Sequence, residues 1–272
     1  MRNLAIIGYP VMHSLSPKMH NFISSQLGLE YFYRHIEVAP EDLEQEIAEL
    51  RREGISGFNV TAPHKVEVMK YLDRISPDAK MFGAVNTVVN ENGCLVGYNT
   101  DAEGFYRSLI FDGVDVENKD VLILGAGGAA MPVSMYLAGK KPKSLTISNR
   151  TKEKAEVIKD KVFEYCGFCA DTKMKLERYD VVINCTSLGM GKNIGISPVS
   201  DYSIIDRDTC VVDMIYSPAE TEFLKQARLI GAKTLNGLGM LVFQGILAYS
   251  LFTGAEVGDD MADRIIKEVF LT

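Results

Sequence analysis

Two kinds of chemistry are written into the residue types and spacing of this chain. The first lies in Val121-Leu122-Ile123-Leu124-Gly125-Ala126-Gly127-Gly128-Ala129-Ala130, an apolar strand that turns through Gly-x-Gly into a helix. Such a turn lets backbone amides approach a pyrophosphate, whose charge the helix N-terminus stabilises, and Ala130 stands where Gly or Ala permits close helix packing. Its place after a strand and inside a βαβ pattern favours nucleotide binding over a merely tight structural turn. About 20 residues on, an NAD site carries Asp or Glu against the ribose 2′-hydroxyl. Here the chain reads Asn149-Arg150-Thr151, with Lys154 one helical turn later. No carboxylate repels a 2′-phosphate, and a guanidinium binds one through paired charge-assisted hydrogen bonds, so NADP is favoured over NAD. The plainer alternative is that Arg150 and Lys154 are solvated charges around a Thr N-cap.

The second kind is a concentration of small polar residues on loops beside apolar strands. Ser14 and Ser16 follow the first strand, Asn59 and Thr61 end another, and Lys65 lies one turn later. Asn86 falls in a hairpin, with Asn99-Thr100-Asp101 just beyond it. Neutral donors and acceptors of this kind suit a polyhydroxylated substrate, and a lone Lys and a lone Asp suit proton transfer. Taken singly each has a structural reading: Ser16 caps a helix, Asn59 and Thr61 end a strand, and Asp101 caps the next helix.

These residues need elements to position them. Residues 3–8 read as a buried strand, followed by a helix with Ser16 as N-cap and Pro17 at its first position, stopped near Gly28. Tyr31 to Val38 alternates as a strand, and Glu41 to Glu53 forms an acidic-to-basic amphipathic helix ending at Gly54. Gly57 to Val60 is a short strand, and Pro63 starts a helix that carries Lys65. Ala84 to Val89 and Cys94 to Tyr98 form a hairpin around the turn Asn90-Glu91-Asn92-Gly93. From Asp120 the order becomes strand, Gly-rich turn, helix, strand (144–148), helix (Thr151 to Tyr165), strand (180–184), strand (210–214). Apolar strands alternating with helices indicate parallel βαβ units and a doubly wound domain. Thr221 to Ile230 is a further helix, Lys233 to Leu235 a short strand, and two helices split near Gly254 complete the chain. The expected fold class is therefore α/β.

The chain has 272 residues, 29 Lys and Arg against 36 Asp and Glu, and a net charge of −7. One large or two modest domains fit this length. The acidic balance argues against a nucleic-acid or anionic-membrane partner, because the attraction there runs from basic side chains to phosphate. An odd, scattered set of five Cys fits a reducing compartment. Val121 to Gly139 and Asn236 to Ala255 are uncharged but interrupted by Gly and polar residues, and read as buried segments rather than membrane spans. The apolar run Leu4 to Ile7 is too short for a signal-peptide core. The expected location is the cytoplasm.

Beyond composition and spacing, the sequence resembles the shikimate dehydrogenase family across nearly its whole length. The resemblance is carried by GYPVMHSLSPKMHN (8–21), NVTAPHK (59–65), GAVNT (83–87), GYNTD (97–101), GAGGAA (125–130), NRT (149–151), NCTSLGM (184–190), DMIYSP (213–218) and NGLGMLVFQ (236–244), in family order. It implies an N-terminal α/β substrate domain (1–101), a Rossmann-like, doubly wound NADP domain (102–236) and a C-terminal helical segment (237–272) returning to the substrate domain, with the active site in the cleft between the domains. It also implies reversible NADPH-dependent reduction of 3-dehydroshikimate to shikimate in aromatic amino-acid biosynthesis, by a monomer or homodimer. Carried over by position, Ser14, Ser16 and Tyr216 would bind the substrate carboxylate. Asn59, Thr61, Asn86, Asp101 and Gln244 would take the hydroxyls and the reacting oxygen, with Lys65 and Asp101 as the catalytic pair. NADP would be held by Gly125, Ala126, Gly127, Gly128 and Ala129, by Asn149, Arg150, Thr151 and Lys154, and by Thr186, Met214, Gly237 and Met240. Met131-Pro132 departs from the basic residue of many relatives and removes one phosphate contact, although Pro is tolerated in a first turn.

Other features are set aside. Cys166-Gly-Phe-Cys169 has thiol-redox spacing, but no second Cys pair or nearby His completes a metal site, and His13, His20, His35 and His64 are scattered, so no metal is expected. A quinate/shikimate dehydrogenase of broader specificity is the nearest alternative, weakened by the Ser14 and Ser16 pattern and by Arg150. A non-catalytic NADP-binding sensor would have no need of Lys65 and Asp101 together. A methylenetetrahydrofolate dehydrogenase finds no support in the N-terminal blocks.

Overall fold

A computed structural model describes residues 2–270. The chain divides into two compact units, one of residues 2–104 and 242–270, the other Phe105–Leu241. From the amino end the elements are β1 (Arg2–Gly8), α1 (Ser16–Leu27), β2 (Tyr31–Glu37), α2 (Leu43–Arg52), β3 (Gly57–Val60), β4 (Arg74–Ile75), α3 (Pro77–Phe82), β5 (Thr87–Glu91), β6 (Cys94–Tyr98) and α4 (Asp101–Phe111). Then come β7 (Asp120–Leu124), α5 (Ala130–Ala138), β8 (Ser144–Ser148), α6 (Lys152–Cys166), β9 (Val181–Asn184), β10 (Cys210–Asp213), α7 (Glu222–Ile230), β11 (Lys233–Leu235), α8 (Leu238–Thr253) and α9 (Asp259–Ile265).

The first unit is built on a six-stranded sheet of order β2-β1-β3-β5-β6-β4. Strand β1 runs parallel to β2 and β3, whereas β5 is antiparallel to β3 and β6. Alternation along β1 sends Leu4 and Ile6 to one face and Ala5 and Ile7 to the other. The first face packs with Met19 and Ile23 of α1, Phe243, Tyr249 and Phe252 of α8 and Ile265 of α9. The second packs with Leu43, Ile47 and Leu50 of α2 and with Phe58 and Val88.

Phe105–Leu241 holds a five-stranded, wholly parallel sheet of order β11-β10-β9-β7-β8. The chain leaves β7 for β8 on one side and returns to β9 on the other, so the switch point lies at the carboxyl ends of β7 and β9, where doubly wound sheets bind ligands. One face of this sheet packs Leu122, Leu124, Val182 and Val211 against Phe223, Leu224 and Ala227 of α7.

Several local expectations are corrected. The N-cap position of α1 is Leu15, and Ser16 lies in the first turn with Pro17. The reason is Ser14, whose Oγ already accepts the Ser16 amide at 3.3 Å. Lys65 sits on a turn followed by a 3-10 helix, Glu67–Tyr71, not on a helix begun by Pro63. Its carbonyl accepts from Val85 N, and Met69 N turns instead to Val66 O, so the α-helical ladder is broken. The hairpin turn is only Asn92-Gly93, since Asn90 and Glu91 pair with Leu95 and Cys94. Both turn residues take positive φ (56° and 92°), as a type I′ turn requires. The second amphipathic helix starts at Leu43 after a 3-10 turn, Pro40–Asp42. Strand β4 and helix α3 are too short to show a periodic pattern in the sequence. Among the described residues, no helix is long and apolar enough to cross a membrane.

Candidate active site

The topology of the six-stranded sheet collects the polar loops at one edge. The carboxyl ends of β1 and β3 lead to Ser14 and Ser16 and to Thr61 and Lys65. Antiparallel β5 starts at that same edge, because Asn59 of β3 pairs with Thr87 and Thr87 with Tyr98 of β6. Asn86, just before β5, and Asn99 to Asp101, just after β6, therefore stand beside Asn59. Close approach here demands Gly8, where a Cβ would overlap the Thr61 methyl.

Lys65 Nζ donates to Asp101 Oδ2 at 2.7 Å, with the two side chains 35% and 15% exposed. The other carboxylate oxygen accepts from Asn86 Nδ2 at 2.8 Å, so Asp101 is gripped from two sides and does not spend its side chain as a simple helix cap. Asn86 Oδ1 accepts from Thr100 N and from Thr87 Oγ1, both at 2.9 Å. Asn59 is buried, and its Nδ2 donates to Asn86 O at 3.1 Å and to Thr87 Oγ1 at 3.0 Å. Both of its amide hydrogens are thus used within the protein, leaving oxygen lone-pair capacity as what Asn59 can offer a ligand. Ser14 Oγ donates to Ser16 Oγ at 3.2 Å, making the two hydroxyls neighbours. The half-buried Thr61 hydroxyl has no partner among the described residues. Gln244, on α8, lies against α4: a Cβ at Gly104 would stand 2.5 Å from the Gln244 backbone nitrogen. His64 is buried and hydrogen-bonded to Val38 O at 2.7 Å, a structural role.

The second unit presents a different set. Gly125 takes φ +108°, and a Cβ there would approach Thr186 Cγ2 to 2.8 Å, so only Gly lets this turn close on β9. Around Gly127 and Gly128 a Cβ would meet nothing within 4 Å. The amides of Ala126 to Ala129 donate to no acceptor among the described residues. A run of free, mostly exposed amides leading into α5 fits the pyrophosphate of a dinucleotide. Asn149 and Arg150 follow β8 directly, and Gly125 N bonds Ser148 O at 2.8 Å, placing them beside the glycine turn. Arg150 is exposed and without a partner among the described residues, and Thr151 occupies the N-cap position of α6 without a side-chain cap bond. These features fit a cofactor with a phosphorylated ribose.

Ala129, Cys185, Thr186, Met190, Met214, Ile215, Tyr216 and Ser217 line a pocket of about 260 Å³. Its floor is organised by Asp213, which is fully buried and accepts from Asn184 Nδ2 (3.0 Å), Ile215 N (3.0 Å) and Thr221 Oγ1 (2.7 Å). Burial pushes the Asp213 carboxyl above its ordinary value despite these bonds. Thr186 Oγ1 donates to Asn184 Oδ1 at 2.7 Å and accepts from Leu188 N at 3.1 Å, which fixes the side chain at the pocket wall. A Cβ at Gly237 would overlap the Met214 carbonyl oxygen, so Gly237 is pinned against that wall. Met240 is half-buried in the first turn of α8. Thr87 and Asp213 are polar residues that spacing does not single out, and Thr100 is read there only as a loop residue beside Asp101. Thr87 and Thr100 lie inside the quoted GAVNT and GYNTD blocks, but nothing in their positions shows that they bond Asn86.

A family model described as shikimate dehydrogenase substrate binding domain matches residues 6–88, and one described as shikimate / quinate 5-dehydrogenase matches residues 108–192. A curated relative from Alkaliphilus metalliredigens, named shikimate dehydrogenase (NADP(+)), is 41% identical over 280 residues, covering 100% of this chain and 96% of its own. A relative of the same name from Methanocaldococcus jannaschii is 44% identical over 274 residues, covering 98% and 96%. Among solved structures, a shikimate dehydrogenase in complex with NADP+ aligns with a TM-score of 0.91 at 41% identity, covering 99% of this chain and 96% of that one.

Proposed function

This chain belongs to the shikimate dehydrogenase family, and from that premise we infer that it catalyses the reversible NADPH-dependent reduction of 3-dehydroshikimate to shikimate, a step of the shikimate pathway. The observation that carries this reading is the Lys65–Asp101 pair at 2.7 Å, held by Asn86 at a sheet edge rich in neutral hydroxyls and amides. A solvated surface ion pair has no need of such a surround.

NADPH, when bound, supplies the hydride. The chain supplies the proton and the positions. As negative charge develops on the ketone oxygen, the Lys65 ammonium stabilises it and donates its proton; in the reverse direction the neutral amine accepts one. Asp101 holds the ammonium in place and takes a substrate hydroxyl. Thr61, with its free hydroxyl, and Asn59, Asn86 and Gln244 take the remaining hydroxyls, Asn59 as an acceptor. Ser14, Ser16 and Tyr216 hold the carboxylate. The turn from Gly125 to Ala129 holds the pyrophosphate through the free amides of Ala126 to Ala129, Asn149 to Lys154 hold the phosphorylated ribose, and Thr186, Met214, Gly237 and Met240 the nicotinamide end. The five Cys, all free thiols, support a reducing, cytoplasmic setting, and we place the enzyme there as a monomer or homodimer.

The test is NADP reduction by the purified protein with shikimate and with quinate in parallel. Shikimate-dependent reduction well above that with quinate is expected. Equal use of both substrates would make this a broader quinate/shikimate dehydrogenase, and NADP binding without turnover of either would make it a sensor.

A further inference from the structure

Tyr33, on β2, is the point from which the polar chain beside the candidate active site starts. It is fully buried, and its hydroxyl donates to Asn59 Oδ1 at 2.7 Å. From Asn59 the donors run in one direction: Nδ2 to Thr87 Oγ1 (3.0 Å), Thr87 Oγ1 to Asn86 Oδ1 (2.9 Å), Asn86 Nδ2 to Asp101 Oδ1 (2.8 Å). Lys65 closes the chain on the other oxygen of Asp101. We propose that Tyr33 is a positioning residue for the reaction, a buried post that aims the Asn59 oxygen at the substrate and sets the donor direction of the chain ending on Asp101.

Two neighbours on α1 fix the post. Asn21 clamps its backbone, donating from Nδ2 to Tyr33 O at 2.9 Å and accepting from Tyr33 N at 2.8 Å. His20 lies flat on its ring, with centroids 4.2 Å apart and planes 5° from parallel. Neither ring nitrogen of His20 has a hydrogen-bond partner among the described residues, although the side chain is completely buried. A polar ring left unsatisfied in a core is a cost that calls for a reason. Whatever its polarity costs, the ring stacked flat on Tyr33 confines the phenol to a single plane. Burial also pushes the Tyr33 phenol well above its ordinary range, so it remains a protonated donor at any working pH.

The inference rests on the shikimate dehydrogenase reading, and its test separates the two. If the wild-type chain reduces no NADP with shikimate, that reading fails. If it does, Tyr33→Phe removes only the hydroxyl, and the expected result is a rise of roughly ten-fold in the shikimate KM, the size of one net hydrogen bond, with the NADP KM unchanged. Because Tyr33 acts through Asn59, the same substitution made in an Asn59→Ala background should have almost no additional effect. Unchanged shikimate kinetics, or full additivity with Asn59→Ala, would overturn the proposal. Should Tyr33→Phe not be recovered folded, His20→Ala and His20→Phe answer the same question. A loss in the first that is restored by the flat ring of the second supports the proposal, and equal kinetics in both would overturn it.

Discussion

Buried His20 makes the stability of this chain sensitive to acid in a way that can be worked out beforehand. Burial pushes its pKa down from 6.5 to about 3, and no charged neighbour offsets that effect. The folded state therefore keeps the ring neutral while the unfolded chain protonates it below about pH 6.5. The stability tied to this ring is complete above that pH and is lost as the pH falls toward 3, at about 1.4 kcal/mol per pH unit. Between pH 7.5 and 5.0 the loss from this one residue comes to about 2 kcal/mol. His20→Phe keeps a flat ring against Tyr33, Tyr249 and Phe252 and carries no titrating group. Denaturant unfolding of both proteins at the two pH values, with carboxylates contributing equally to each, should show the variant losing about 2 kcal/mol less than the wild type. The variant should also be the more stable at pH 7.5, because two orphaned nitrogens have gone. Parallel pH dependence in the two proteins would refute this account of His20.

Further outcomes follow from the same geometry. Arg150→Ala should weaken NADP by about ten-fold to a hundred-fold, the value of charge-assisted hydrogen bonds, and leave NAD affinity nearly unchanged; equal losses measured by calorimetry would remove the 2′-phosphate assignment. Ser14→Ala and Tyr216→Phe should each raise the shikimate KM while the NADP KM stays put, and a complex with the carboxylate far from both serines would contradict this. Gly237→Ala drives a methyl into the Met214 carbonyl, so it should displace that pocket wall and weaken NADP about ten-fold or more; wild-type NADP affinity in a folded variant would show the approach to be unimportant.

Much of the fold can be read from the sequence because its strongest signals are local and periodic. The strands at 121–124 and 181–184 are uninterrupted apolar runs between helices, and Gly125 leaves no choice of residue where the turn closes on Thr186. A proline after a strand commonly starts a helix, so the sequence alone puts Lys65 on one. The competing pull is non-local: Val85 N takes the Lys65 carbonyl, and no local pattern shows that. Ser16 fails as a cap for a similar reason, since Ser14 two residues earlier has already taken its amide. In the candidate site, spacing identified Asn59, Asn86 and Asp101 as polar groups at element ends, but the direction of the bonds joining them depends on strand pairing. The sequence shows Tyr33 only as one position of an alternating strand and His20 only as one of four scattered histidines. Alternation says that a side chain is inside, and says nothing of what its hydroxyl or ring nitrogen meets there.

The central claim is that Lys65 moves the proton while Asp101 holds it in place, and the most direct test is steady-state shikimate oxidation by Lys65→Met, with NADP affinity and melting temperature measured on the same preparation. Positioned acid-base groups typically contribute about 10² to 10⁴ in rate, so turnover should fall by that order with NADP binding intact and the protein folded. A folded variant of lower melting temperature that turns over shikimate at near wild-type rate would contradict the claim, and would reduce the 2.7 Å pair to a tie between the Lys65 turn and α4.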